Sequence, residues 1–173
     1  MASPIDKSTI DRLVVDHLPV ALRFAMRLTR DAHTAEDIVQ EALCRVLSRW
    51  PSYRGEASFR TWMLQIVLNV ERDRRRRRRD AQPLPVDELI SNSPLPIEHA
   101  SAKELSARIR ETIDRLPQRQ REVALLMLGE GIPATETAQI LETTKANVYS
   151  CLRLARKQIA RAIGVDRVQP ERK

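Results

Sequence analysis

The sequence predicts an all-α protein of two small helical domains joined by an extended linker, the second domain carrying a helix-turn-helix. Three observations predict it. Leu, Ala, Arg and Glu, all good helix formers, dominate the 173 residues, while glycine occurs only 4 times. That scarcity argues against hairpins and phosphate-cradling loops. Apolar residues recur at three- and four-residue spacing in both halves. Between the halves, residues 80–100 read DAQPLPVDELISNSPLPIEHA, with four prolines and no helical period. Proline lacks a backbone donor and pushes its predecessor out of the helical region, so this stretch is expected to be extended. Its reach is roughly 70 Å at ~3.3 Å per residue, about two turns of B-DNA. The expected organisation is an N-terminal domain over 1–79, the linker over 80–100, a C-terminal domain over 101–165 and a tail over 166–173.

In the first domain one helix face runs through Ile10, Leu13, Val14, Leu18, Ala21, Leu22, Ala25 and Leu28. A second runs through Ala35, Ile38, Val39, Ala42, Leu43, Val46 and Leu47. A third follows through Phe59, Trp62, Met63, Ile66, Val67 and Val70. Capping boxes are predicted at Ser8–Asp11, Thr34–Asp37 and Ser101–Glu104, where a hydroxyl and an acid three residues on satisfy free N–H groups. Pro51 and Gly55 separate the second and third helices. In the second domain Pro117 starts a helix that Gly129 and Gly131 end. A short helix over about Ala134–Leu141 is followed by Glu-Thr-Thr and a longer helix over about Lys145–Ile163. Val148, Leu152, Ala155, Ile159 and Ile163 form its buried stripe. Short helix, tight turn, longer basic helix is the helix-turn-helix order.

The net charge of +7 is arranged in blocks. Residues 1–57 balance 8 basic against 8 acidic groups, and residues 58–79 carry 8 basic against 2 acidic. Residues 80–100 hold 4 acids with no Lys or Arg, and residues 101–173 hold 14 basic against 9 acidic groups. Two separate basic stretches point to a polyanionic partner. The first ends in six consecutive arginines, Arg74–Arg79. On a helix they circle the axis more than once, so they cannot all face one strand. Cations at a helix C-terminus are favoured by its dipole, and two or three of them are placed to clamp phosphates.

In the recognition helix of a helix-turn-helix, N-terminal residues meet base edges and basic residues meet phosphates. Lys145, Asn147, Tyr149 and Ser150 stand at the start, and Asn suits a bidentate pair with adenine. Arg153, Arg156 and Lys157 follow at backbone-contacting positions.

LPQRQREVALLMLGEGIPATETAQILETTKANVYSCLRLARKQI, with Leu116-Pro117, Arg121-Glu122-Val123 and Ala155-Arg156-Lys157, resembles the −35-reading domain of bacterial sigma factors of the extracytoplasmic-function (ECF) type. DAHTAEDIVQEALCRVL is similar to the family's helix that docks on the clamp coiled coil of core RNA polymerase. SFRTWMLQIVLNVERDRRRR is similar to its −10-element helix, with Phe59, Trp62, Asn69, Arg72 and Asp73 at matching positions. The resemblance covers nearly the whole chain in order. It implies that Asp37, Gln40 and Glu41, on the outward side of their helix, contact polymerase. It implies a pocket for a flipped base in the loop WPSYRGEAS, where Tyr53 and Arg54 stack and Ser52 and Ser58 bond exposed edges. Trp62 is expected to pack inside the domain, while Asn69, off the apolar stripe, faces DNA beside Arg72, Arg74, Arg75 and Arg76. The partners implied are core RNA polymerase, promoter DNA and an anti-sigma factor.

Four positions depart from the family pattern. Glu142 replaces the usual glycine of the helix-turn-helix turn, Thr137 a buried aliphatic residue, Cys151 a basic residue and Leu68 an arginine.

No apolar run approaches the ~20 residues of a membrane span, and MASPIDKSTIDRL is unlike a secretion signal. A cytoplasmic protein with free Cys44 and Cys151 is expected, with no insertion in membrane. His17, His33 and His99 lie far apart and neither cysteine has a C-x-x-C partner, so no metal or other cofactor is read. No catalytic motif is present, and no enzyme is expected. The rival readings are a stand-alone helix-turn-helix regulator acting without polymerase, and an RNA-binding or nucleic-acid-processing enzyme. The 3% aromatic content and scattered carboxylates disfavour the second.

Overall fold

The computed structural model describes residues 6–81 and 102–164, and every element among them is helical. The chain divides into two compact units, one built on the helices before the proline-rich stretch and one on those after it. The predicted linker beyond Ala81 and the tail over 166–173 lie outside the described residues, as does Ser101 of the third predicted capping box.

In the first unit α1 spans Lys7–Thr29, α2 Ala32–Arg49 and α3 Phe59–Ala81, with a 3₁₀ turn at Trp50–Ser52. All three helices pack on one another. Two predicted caps are corrected here. Asp6 and Asp31, not Ser8 and Thr34, are the N-caps, with Asp6 Oδ1 accepting from Thr9 N at 2.8 Å and Asp31 Oδ1 from Thr34 N at 2.7 Å. An aspartate two or three residues upstream satisfies the same free N–H groups, so each helix begins earlier than the hydroxyl implies. These bonds hold both carboxyls below the usual aspartate range, the side-chain and backbone hydrogen bonds of Thr9 and Thr34 being the main causes.

The core is Ile10, Phe24, Ile38, Val46, Met63, Leu64, Val67, Leu68 and Val70, each at most 1% exposed. Phe24 lies outside the stripe read for α1, and Leu64 and Leu68 outside that read for α3. A helix flanked by two others buries more than one stripe, so α3 is apolar almost all round from Met63 to Val70. The same packing explains Leu68: an arginine there would lose its hydration without a partner. α3 then continues through Arg74–Arg79 and Asp80 to Ala81, slightly past the predicted boundary at 79.

In the second unit α4 spans Ala102–Arg115, α5 Gln118–Ala124, α6 Ala134–Ile140 and α7 Lys145–Ala162. Pro117 caps α5, and a π-helical turn over Leu125–Gly129 extends it, closed by Glu130 N to Leu125 O at 3.0 Å. α4 and α5 pack on α7, with Leu116, Ala124 and Ala155 in the core beside Ile113. Val148, Leu152 and Ala155 of the predicted stripe are buried, and Ile159 and Ile163 half-buried.

Candidate nucleic-acid interface

The recognition helix α7 is aimed by the turn before it. Thr143 N bonds Ala138 O at 2.9 Å and Glu142 N bonds Gln139 O at 3.1 Å, the paired bonds of a Schellman ending to α6. The motif requires a left-handed residue at its centre, and Glu142 supplies it with φ 51°. Glycine takes that conformation without Cβ strain, which is the physical reason it suits this turn. Thr144 then caps α7, its Oγ1 accepting from Asn147 N at 3.2 Å. Thr137, completely buried in α6, donates its hydroxyl to Ile132 O at 3.3 Å, so a polar residue is tolerated at an aliphatic site.

With Val148, Leu152 and Ala155 turned inward, Lys145, Asn147, Tyr149, Ser150, Arg153, Arg156 and Lys157 are all exposed on α7. Every residue assigned to −35 DNA is therefore available at the surface. Lys145, Arg153, Arg156 and Lys157 make no ion pair with another described residue. Asn147 is engaged: its amide nitrogen donates to Thr143 Oγ1 at 2.9 Å, and Cys151 Sγ approaches its oxygen at 3.8 Å. Half-buried Cys151 thus braces the asparagine.

The residues assigned to −10 DNA sit on a differently built surface. Tyr53 is half-buried and stacks on Trp62 with centroids 4.9 Å apart, edge-on to Phe59 at 5.8 Å. Its hydroxyl donates to Ala57 O at 2.7 Å, and burial raises the phenol pKa. Half-buried Trp62 also meets Phe59 at 5.7 Å, and His17 of α1 closes on Phe59 at 5.4 Å. This aromatic cluster frames the loop over 53–58, which turns at Gly55 with φ 72°. Ser52 bonds Arg49 O at 2.7 Å, and Ser58 accepts from Thr61 N at 3.1 Å at the start of α3. Arg54 is exposed and Asn69 half-buried.

On α3 three of the consecutive arginines are paired. Arg74 Nη1 donates to Asp37 Oδ2 at 3.2 Å, Arg75 to Glu71 at 2.5 Å, and Arg76 lies 3.8 Å from Asp73. Arg72 is half-buried beside them. Arg45 of α2 joins the network: Nη1 donates to Asp73 at 3.0 Å and Nη2 to Glu41 at 2.5 Å. Burial lowers the Arg45 pKa, but the bonds from Glu41 and Asp73 outweigh it and leave the guanidinium held charged. Two of the residues assigned to polymerase, Asp37 and Glu41, are thus bonded to arginines, while Gln40 is exposed. Sequence reading missed Arg45. Its i+4 spacing from Glu41 was visible, but the bond to Asp73 on another helix was not.

A helix-turn-helix unit preceded by a helical unit with a basic third helix defines a two-part DNA-binding protein. Sequence comparison sharpens this: sigma-70 region 2 matches residues 13–81, and sigma-70 region 4 matches residues 106–159. The chain belongs to the sigma-70 family, and within it to the ECF sigma factors. RNA polymerase sigma-H factor of Pseudomonas aeruginosa is 27% identical over 169 residues, covering 91% of this chain and 88% of its own. ECF RNA polymerase sigma factor EcfG of Rhodopseudomonas palustris is 28% identical, covering 86% and 82%. In fold the chain is similar to the sigma factor RpoE of Bartonella quintana, solved in complex with the anti-sigma factor NepR. The TM-score is 0.70 at 20% identity, covering 91% of this chain and 98% of that one. CnrH, solved in complex with the cytosolic domain of CnrY, gives 0.68 at 22% identity, covering 94% and 92%. No described helix is long and apolar enough to cross a membrane.

Proposed function

We propose that this chain binds core RNA polymerase and directs promoter-specific initiation, with two domains, 1–79 and 101–165, holding different parts of the promoter. Asp37, Gln40 and Glu41 on α2 meet the clamp coiled coil. Tyr53 and Arg54 in the loop, with Asn69, Arg72, Arg74, Arg75 and Arg76 on α3, hold the −10 element and assist melting. Lys145, Asn147, Tyr149, Ser150, Arg153, Arg156 and Lys157 on α7 read and grip −35. The carrying observation is that regions 2 and 4 stand in order on one chain, each ending on a basic helix. A stand-alone regulator leaves the first unit without a role.

The protein is proposed to act in the cytoplasm, without catalysis or cofactor of its own, and under control of an anti-sigma factor. Such complexes are known for two proteins of similar fold. In vitro transcription of a promoter library by core polymerase plus this protein tests the reading. Protein-dependent start sites are expected, and their absence overturns it.

A further inference from the structure

We propose that Leu154 determines promoter specificity by packing on the 5-methyl group of a thymine in the −35 element. The inference rests on the −35 reading of α7 and names a contact within it. Leu154 is an exposed large apolar side chain, 37% accessible, on a helix whose Val148, Leu152 and Ala155 are at most 5% exposed. Two residues after Leu152 and one before Ala155, it lies on the side turned from that buried stripe. Its neighbours there, one turn away on either side, are the exposed Ser150 and Lys157. It is partly covered by its own unit and partly open to a partner.

The surroundings select the occupant. Arg153, Arg156, Lys157 and Arg161 are all exposed on the same helix, a charge pattern that fits a polyanion and opposes an apolar protein partner. Within the major groove the base edges are donors and acceptors, with one apolar feature, the thymine methyl. A leucine placed among cations in that groove gains only by covering that methyl. Against any other base it leaves a donor or acceptor without a partner, which turns a passive contact into discrimination. Ser150 on one side and Lys157 on the other suit a base edge and a phosphate, so the methyl contact falls between two polar ones.

The test removes the methyl and nothing else. Full-length protein with bacterial core polymerase first selects its promoter from a library randomised across −35. Each thymine of the selected element, on either strand, is then replaced singly by deoxyuridine, and holoenzyme binding is measured by fluorescence anisotropy. One replacement is expected to weaken the wild-type protein about fourfold, the worth of about one buried methyl. The Leu154→Ala protein should lose a similar factor on the thymine promoter and be indifferent to uracil at that position. Its thermal melt should fall by only a few degrees, because the side chain is partly covered. The uracil response is read within each protein, so it does not depend on that fall. Wild-type indifference to every uracil, a selected element without thymine, or unchanged uracil sensitivity in Leu154→Ala overturns the contact. Those results leave the promoter reading standing, whereas failure to select any promoter overturns both.

Discussion

On α3, Arg74, Arg75 and Arg76 each face a carboxylate of their own unit, and Arg45 bridges one of these, Asp73, to Glu41. On α7, Lys145, Arg153, Arg156 and Lys157 make no ion pair with another described residue. The two helices therefore meet phosphate from different starting states. A cation on α7 exchanges only mobile counterions, whose release gives affinity its salt dependence. Arg74 and Arg75 on α3 already hold a fixed counterion, and a phosphate would have to displace it. On the proposed assignment, the −35 grip is ready in the free chain, while the −10 grip of Arg74 and Arg75 is conditional. The conditional one shares its carboxylates, Asp37 and Glu41, with the face assigned to polymerase.

The largest effects are expected on α7. Asn147→Ala should cost ~1–3 kcal/mol at one promoter position and leave the others unchanged. The lower end is favoured, because reading adenine means exchanging the Thr143 bond already made. Arg156→Ala should instead weaken every promoter variant alike and lower the salt slope by about one. Binding assays across a set of single-base −35 variants separate the two, and identical profiles would refute base reading by Asn147. Next in size, Arg45→Ala removes the bridge between α2 and α3 and leaves Glu41 and Asp73 facing each other. With the Arg45 side chain only 22% exposed, about 1–2 kcal/mol of stability should be lost in urea melts. An unchanged midpoint would mean that the network is incidental.

The three N-terminal helices, the helix-turn-helix and the basic faces were legible because each follows from periodicity or composition within a single helix. The features that were not legible depend on contacts between helices or on local geometry. Phe24, Leu64 and Leu68 are buried because neighbouring helices cover them, which no single-helix stripe records. The caps moved to Asp6 and Asp31 because several nearby polar residues compete for the same N–H groups. Tyr53, assigned to base stacking through the resemblance, has one face against Trp62, a contact set by the aromatic cluster. The pairing of Asp37 with Arg74 joins residues 37 positions apart, assigned by sequence to different partners.

A smaller effect tests how the ready helix is aimed. Glu142 holds a left-handed φ at the centre of the α6–α7 turn, where a side chain is strained. Glu142→Gly relieves that strain but adds freedom to the unfolded chain, so the gain is expected to be about 0.5–1 kcal/mol. A rise in the melting temperature checks it, and a fall would show that the glutamate side chain contributes more than the strain costs.

The smallest effect bears most directly on the conditional grip. The Asp37–Arg74 pair is 40–47% exposed at both ends, so its own worth is at most about 1 kcal/mol. Asp37→Asn removes the fixed counterion and leaves a side chain of similar size. Arg74 is then free to meet phosphate, and binding to single-stranded −10 DNA should strengthen by up to about fivefold, with a steeper salt dependence. Core polymerase should bind the same protein more weakly, because its acidic contact has lost a charge. Opposite signs in the two assays are the signature of a shared carboxylate. If both weaken, Asp37 positions α3 and does not restrain it, and the contrast between the two helices would lie in geometry instead of in pairing.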